Sequence, residues 1–259
     1  MTTSPRGTEG AAHGVRLFDD VHPDEAERAY LPGMSSAWKM PWYDVQSWWR
    51  RAGQLHRRTV EIAGIAPGQH VLDVGCGTGN LALTVLRAVP DAVVTGLDPD
   101  GAALRRAARK ARRRRIGRRG SLTLVRGFAD RLPAPDASVD HVLSSLALHH
   151  VPMDEKRRFA AELARVLRRG GHVTIADLDA PGHGGSEHGG SEHGGNGDGG
   201  HRAHRHGGHH EIGANQHRED NADGGIQRLL TDAGLTGARE VGRATFMDTP
   251  VVWVQARRP

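Results

Sequence analysis

The chain has 259 residues, a formal net charge of +5 and a hydrophobic fraction of 37%, and all but three of its 35 lysine and arginine residues are arginine. That length suits one large domain, or one domain carrying an insertion. No run of about 18 apolar residues is present to span a membrane, the opening MTTSPRGTEGAAHGV lacks the apolar core of a secretory signal, and the lone Cys76 excludes an internal disulfide framework, so a cytoplasmic protein is expected.

Residues 1–23 read as a disordered polar arm. Residues 24–68 read as an N-terminal helical cap, helical over 24–63 with breaks at Leu31–Gly33 and Pro41. Trp38, Trp42, Trp48 and Trp49 fall in this cap, either as a lid over an apolar pocket or as packing against the core. From residue 69 to the end, short apolar runs alternate with helical patterns. Strands are predicted at 70–74, 92–97, 121–127, 140–148 and 172–178, and helices at 80–89, 100–115 and 154–169, the last with Asp154 near its start and Gly170–Gly171 ending it. A helix at 225–234 and an antiparallel pair at 238–246 and 251–257 close the chain. Such alternation implies an α/β fold, a largely parallel sheet with helices on both faces.

That domain is interrupted at 180–224, where HGGSEHGGSEHGGNGDGGHRAHRHGGHH runs from His183 to His210. A stretch of glycine and histidine cannot bury a core and reads as a flexible insertion. Histidine suits nickel, copper and zinc, but a defined zinc site needs fixed geometry that glycines do not supply. Weak metal binding at His183, His188, His193, His201, His204, His206, His209 and His210 is therefore expected, and no defined metal site.

Much of the excess charge lies in RRAARKARRRRIGRR, Arg105 to Arg119. It is either a nucleic-acid footprint or the solvated face of a helix buried through Ala103, Leu104, Ala107, Ala108 and Ala111. No aromatic residue interleaves it to stack a base, so nucleic acid is not the expected partner.

The ligand signal is VLDVGCGTGN, Val71 to Asn80. A buried strand ends in Asp73, and a turn with glycines at 75, 77 and 79 leads into a helix. Glycine there lets a ligand approach the backbone, at the strand end where open parallel sheets bind ligands. A dinucleotide loop would carry a third glycine at the position of Asn80. The pattern here is D-x-G-x-G-x-G, with an acid that would repel a pyrophosphate and suit an ammonium group. The second strand ends GLDPD, so Asp98 stands where a carboxylate takes ribose hydroxyls, and Pro99 offers a flat surface to a purine.

In these residues the chain resembles class I S-adenosylmethionine-dependent methyltransferases, most closely the menaquinone and ubiquinone C-methyltransferase branch. RGFADRLPAPDASVDHVLSSLALHHV looks like that family's third and fourth strand region, and RVLRRGGHVTIADL like the segment leading into its fifth strand. The resemblance implies a Rossmann-like seven-stranded sheet ordered 3-2-1-4-5-7-6 with the last strand antiparallel, S-adenosyl-L-methionine as cofactor, and transfer of a methyl group to a small-molecule acceptor. It implies cofactor contacts at Tyr43, Asp73, Gly75, Cys76, Gly77, Asp98, Pro99, Phe128, Ala129 and Ser145, with Ser144 beside it. Phe128 stands where the family often has an acid for the adenine amino group, with Asp130 as the substitute, and Arg169 replaces a common proline. Tyr43 and Asp44 match a pair bordering the methionine end.

The chemistry so implied is in-line displacement at a sulfonium methyl carbon, driven by alignment and exclusion of water. A base is needed only where the acceptor must lose a proton. His149 is the first candidate and His150 the second; the alternative is that both only cap their loop. Two other readings use the same fold: an RNA methyltransferase acting through the Arg105–Arg119 helix, and a non-catalytic cofactor- or metal-binding protein.

Overall fold

The computed structural model describes residues 14–20, 28, 42–116, 119–179, 219–246 and 248–259, with the side chains of 42–50 excepted. Its elements run β1 (Gly14–Phe18), α1 (Trp42–Ala63), β2 (His70–Val74), α2 (Asn80–Ala88), β3 (Val93–Asp98), α3 (Gly101–Arg113), β4 (Ser121–Arg126), β5 (Val139–Ser145), α4 (Met153–Val166), β6 (Leu167–Leu178), α5 (Gly225–Asp232), β7 (Thr236–Phe246) and β8 (Thr249–Arg257). They build one sheet in the order β1-β4-β3-β2-β5-β6-β8-β7. Strands β1 to β6 pair parallel, and β8 runs antiparallel to both β6 and β7.

Stripped of β1, this is the expected seven-strand order, and the fold is Rossmann-like. The eighth strand corrects the reading of 1–23 as a disordered arm. Residues 14–18 pair in parallel with 121–125 of β4. Val15 and Leu17 turn toward the core formed with α2 and α3, while Arg16 and Phe18 face out. Asp19 then pairs with Arg105 of α3. Two apolar contacts and one ion pair anchor a strand too short to announce itself in a polar arm.

The central strands are apolar throughout because helices cover both faces. One core joins β5, β6 and β8 to α4 and α5 through residues such as Phe159, Leu163, Ile175 and Leu230. The other joins β2, β3 and β4 to α2 and α3, with Ala103, Leu104, Ala107, Ala108 and Ala111 all buried. The arginine run is thus the solvent face of an amphipathic helix. The Asp100 carboxylate caps that helix, accepting from Ala102 N at 2.8 Å and Ala103 N at 3.1 Å, and basic residues fill its last turn. The C-terminal half of α1 packs on β8, where Trp253 Nε1 donates to Thr59 Oγ1 at 2.9 Å.

A second correction concerns Gly170–Gly171, which lie inside β6 instead of ending the helix at 169; α4 stops at Val166. Gly170 N donates to Arg258 O and Arg258 N to Gly171 O, so the C-terminus draws this glycine pair into the sheet. The histidine-rich insertion, with all eight of its candidate metal ligands, lies outside the described residues. Among the described residues, no cluster of three or more His, Cys, Asp or Glu side chains forms a metal site, and no helix is long and apolar enough to cross a membrane.

Candidate active site

The strand order reverses between β2 and β5, the position where open parallel sheets open a crevice beyond their carboxyl ends. A cavity of about 480 Å³ lies there, walled by the β2–α2 turn, the ends of β3 and β5, the Gly127–Ala129 segment, and residues of α1 and α4.

The β2–α2 turn is shaped by three left-handed glycines that do different work. Gly75 (φ 73) and Gly79 (φ 74) are packed against neighbours: an added Cβ would come within 2.4 Å of Ala147 Cβ and 2.9 Å of Ala107 Cβ respectively. Gly77 (φ 49) faces open space, the nearest atom to a Cβ being Asp98 Oδ2 at 4.0 Å. Of the three, Gly77 is the one with open space beside its Cα. The turn is tied down by Gly75 N and Cys76 N, which donate to Leu97 O at 2.9 and 3.0 Å. On its outer side Lys110 Nζ donates to Thr78 O at 2.9 Å and Asn80 Oδ1 at 2.6 Å.

Two carboxylates stand behind this turn. Asp98 accepts from Gly77 N at 2.7 Å and Asp100 N at 2.9 Å, one bond to each oxygen, which fixes its plane and leaves a lone pair on each for the cavity. Burial pushes its carboxyl above the ordinary range. Asp73, only 1% exposed, accepts from Ala82 N at 3.0 Å. Burial raises its carboxyl to about 7, against the lowering effect of that bond, and the Asp98 charge adds to the rise. Both acids occupy positions where a bound cation or hydroxyl would favour their ionised form.

Asp73, Gly75, Cys76, Gly77, Asp98, Pro99, Phe128, Ala129 and Ser145, named from the sequence, all line the cavity, as does Ser144. The side chain of Tyr43 lies outside the described residues. Asp130 does not line the cavity: its oxygens go to Arg28 at 2.9 Å and to Arg158 at 3.3 Å.

The two histidines are placed differently. His149 is 6% exposed and absent from the cavity wall, its Nδ1 held by Asp177 Oδ1 at 2.7 Å. His150, next in the same 3₁₀ turn, lines the cavity. The expectation of His149 as first candidate is corrected by Asp177, which is fully buried and accepts from Ala147 N, Leu148 N, Leu178 N and Asn221 Nδ2 besides His149. That hub pulls one imidazole into the core and leaves the next at the surface of the cavity. Burial pushes His150 down to about 4, and His149, 4.0 Å away between ring centroids, adds to the effect, so His150 is neutral at pH 7. His150 Nδ1 and Ser145 Oγ are buried without a partner among the described residues. Unmade bonds of this kind are costly and suit groups that a ligand completes.

The sequence reading missed His56 of α1, Arg106 of α3 and Glu155 of α4, all in the wall. His56 is pushed down to about 4 by burial, with Lys110 adding to it. Their only local signal is helical periodicity, which reads equally well as ordinary packing.

With this geometry in place, residues 71–171 match the family described as "Methyltransferase domain". Over 124 residues the chain is 41% identical to a phthiotriol/phenolphthiotriol dimycocerosates methyltransferase of Mycobacterium tuberculosis, covering 48% of this chain and 43% of that one. Over 126 residues it is 36% identical to the 27-O-demethylrifamycin SV methyltransferase of Amycolatopsis mediterranei, covering 47% and 44%. The chain thus spans less than half the length of these relatives. Among solved structures, magnesium protoporphyrin IX methyltransferase from Synechocystis PCC 6803 with bound SAM superposes with a TM-score of 0.55 at 22% identity, over 81% of this chain and 80% of that one. The matched stretch covers the glycine turn, Asp98, Phe128 and the two histidines, and therefore most of the cavity wall.

Proposed function

We propose that this protein transfers a methyl group from S-adenosylmethionine to a small-molecule acceptor. The observation that carries it is the closure of the D-x-G-x-G-x-G turn onto Asp98 across open space at Gly77. When bound, the cofactor supplies a methyl group already activated on a sulfonium. The residues present fit it: Asp98 offers two lone pairs to ribose hydroxyls, and Asp73 stands where an ammonium group would be met. Pro99 and Phe128 border the base, and Ser145 Oγ awaits a partner.

At the acceptor end, His150 lines the cavity and is neutral at pH 7, so it is the imidazole of that turn able to take a proton from an acceptor that must lose one. His149 and Asp177 position it by fixing the turn that carries both histidines. The apolar wall of Leu146, Leu148, Val151 and Phe159 suits an acceptor with an apolar body. Kinship with the menaquinone and ubiquinone branch is part of the proposal, supported by the LALHHV segment; the two curated relatives are named for other acceptors. The RNA reading gains nothing from α3, whose arginines are its solvent face.

Calorimetry with S-adenosylmethionine, followed by transfer of a labelled methyl group to a panel of quinones, phenols and amines, tests the proposal. Binding without transfer to any class would favour the non-catalytic reading. No binding would remove the proposal altogether.

A further inference from the structure

Phe128 forms part of the cavity wall, and a cation stands behind its ring. The guanidinium carbon of Arg28 lies 4.3 Å from the ring centroid. Phe128 lines the cavity and Arg28 does not, so of the two it is the ring that a ligand in the cavity would meet. The guanidinium is held in place from two sides. Its Nη1 meets both oxygens of Asp130 at 2.9 Å, and its Nη2 meets Glu155 Oε1 at 2.8 Å. Burial works against the charge on Arg28, but the two carboxylates outweigh it and keep the group a firm cation. Asp130, in turn, is held below the ordinary carboxylate range by Arg28 and Arg158 despite burial, so it is committed to arginine.

With Asp130 turned to Arg28 and Arg158, the Gly127–Ala129 segment presents an aromatic ring to the cavity, and the acid that follows it is turned away. Glu155, the wall acid nearest this ring's cation, gives its Oε1 to Arg28.

We propose, on the reading of this cavity as an S-adenosylmethionine site, that Phe128 backed by Arg28 is the nucleobase-recognition element and that it holds the base by stacking, without reading the exocyclic amino group. A cation on one face draws the ring's π density toward itself, which leaves the opposite side better matched to an electron-rich purine. Stacking depends on the face of a base and tolerates changes along its edge. The specificity that follows is for a purine nucleoside of the right shape, with substitution at the amino nitrogen accepted.

The test uses the full chain and two probes, S-adenosylhomocysteine and its N6-methyl analogue, titrated calorimetrically into wild type, R28M, F128L, the double variant and E155Q. The N6-methyl analogue is expected to bind wild type within about threefold of the parent. R28M should weaken both probes by about threefold, below the roughly tenfold ceiling set by a partly buried cation–π contact, because that contact is present with and without ligand. In the F128L background the same change should matter less than about twofold, because the ring through which Arg28 acts is gone.

An equal loss from R28M with and without Phe128 would show that Arg28 acts only through its ion pairs, and would overturn the proposal. So would a loss above about tenfold for the N6-methyl analogue in wild type that disappears in E155Q, since Glu155 would then be the reader of the base edge. If S-adenosylhomocysteine does not bind wild type at all, the methyltransferase reading itself fails, a result separable from either of these.

Discussion

Cofactor binding should depend on pH through Asp73. Its carboxyl is almost fully buried, and burial raises it to about 7, where an exposed aspartate would be ionised throughout the neutral range. An ammonium group brought to the cavity favours the ionised carboxylate, so binding expels the proton that Asp73 holds. At pH 6 the protonated form outnumbers the ionised one by about ten to one, and at pH 8 the ratio is reversed. The apparent affinity should therefore rise about tenfold from pH 6 to pH 8, equivalent to about 1.4 kcal/mol. His56 and His150, pushed to about 4, do not titrate in this window. Stability of the unliganded protein should move in the opposite sense. A raised carboxyl favours folding below its ordinary range, and that contribution fades as pH climbs toward 7. The assay is calorimetric titration of S-adenosylhomocysteine at half-unit steps of pH, in wild type and in Asp73→Asn. The variant carries only the ligand's own titration, so the difference between the two profiles should rise about tenfold from pH 6 to pH 8. A wild-type profile parallel to that of Asp73→Asn would refute the assignment of Asp73 as the acid that meets the ligand.

Asp98→Asn keeps the shape of the side chain but removes charge-assisted bonds, and should weaken S-adenosylhomocysteine by about 10- to 150-fold, or 1.5–3 kcal/mol; unchanged affinity would place the ribose elsewhere. Gly75→Ala should lower the melting temperature, because its Cβ would lie 2.4 Å from Ala147 Cβ at a φ of 73. Gly77→Val should fold with a smaller shift yet lose ligand binding, since its side chain enters the cavity; normal binding would make the loop a mere turn. Asp177→Asn breaks a buried hub and should destabilise the protein by about 3–5 kcal/mol, read by denaturant titration. Asp177 lies below the ordinary carboxylate range although burial opposes this, held there by His149 and the N–H groups of Leu178 and Leu148. Its contribution is present at neutral pH and lost as pH falls through its folded value, so the variant should also flatten the acid limb of the stability profile.

What could be read from the sequence divides according to how far apart the deciding partners lie. The central strands were legible because each carries its own apolar run, while their order followed from the family resemblance and not from the runs themselves. Asp73, the three glycines, Asp98 and Phe128 were legible because strand, turn and helix place them within a few residues of a strand end. The first strand was not legible, since its partner is over a hundred residues away and its own signal is Val15 and Leu17 alone. The choice between His149 and His150 was not legible either. Adjacent residues in one turn have identical local signals, and the choice is made by Asp177, which lies 28 residues further on. Arg28 belongs with these: nothing near it in sequence marks it, and it acquires meaning only where Phe128, Asp130 and Glu155 converge. Local chemistry announced the ligand, and long-range partners decide which side chains meet it. The residues most worth mutating are therefore those for which a motif and a distant partner coincide: Phe128 with Arg28, and His150 with the Asp177 hub that turns it toward the cavity.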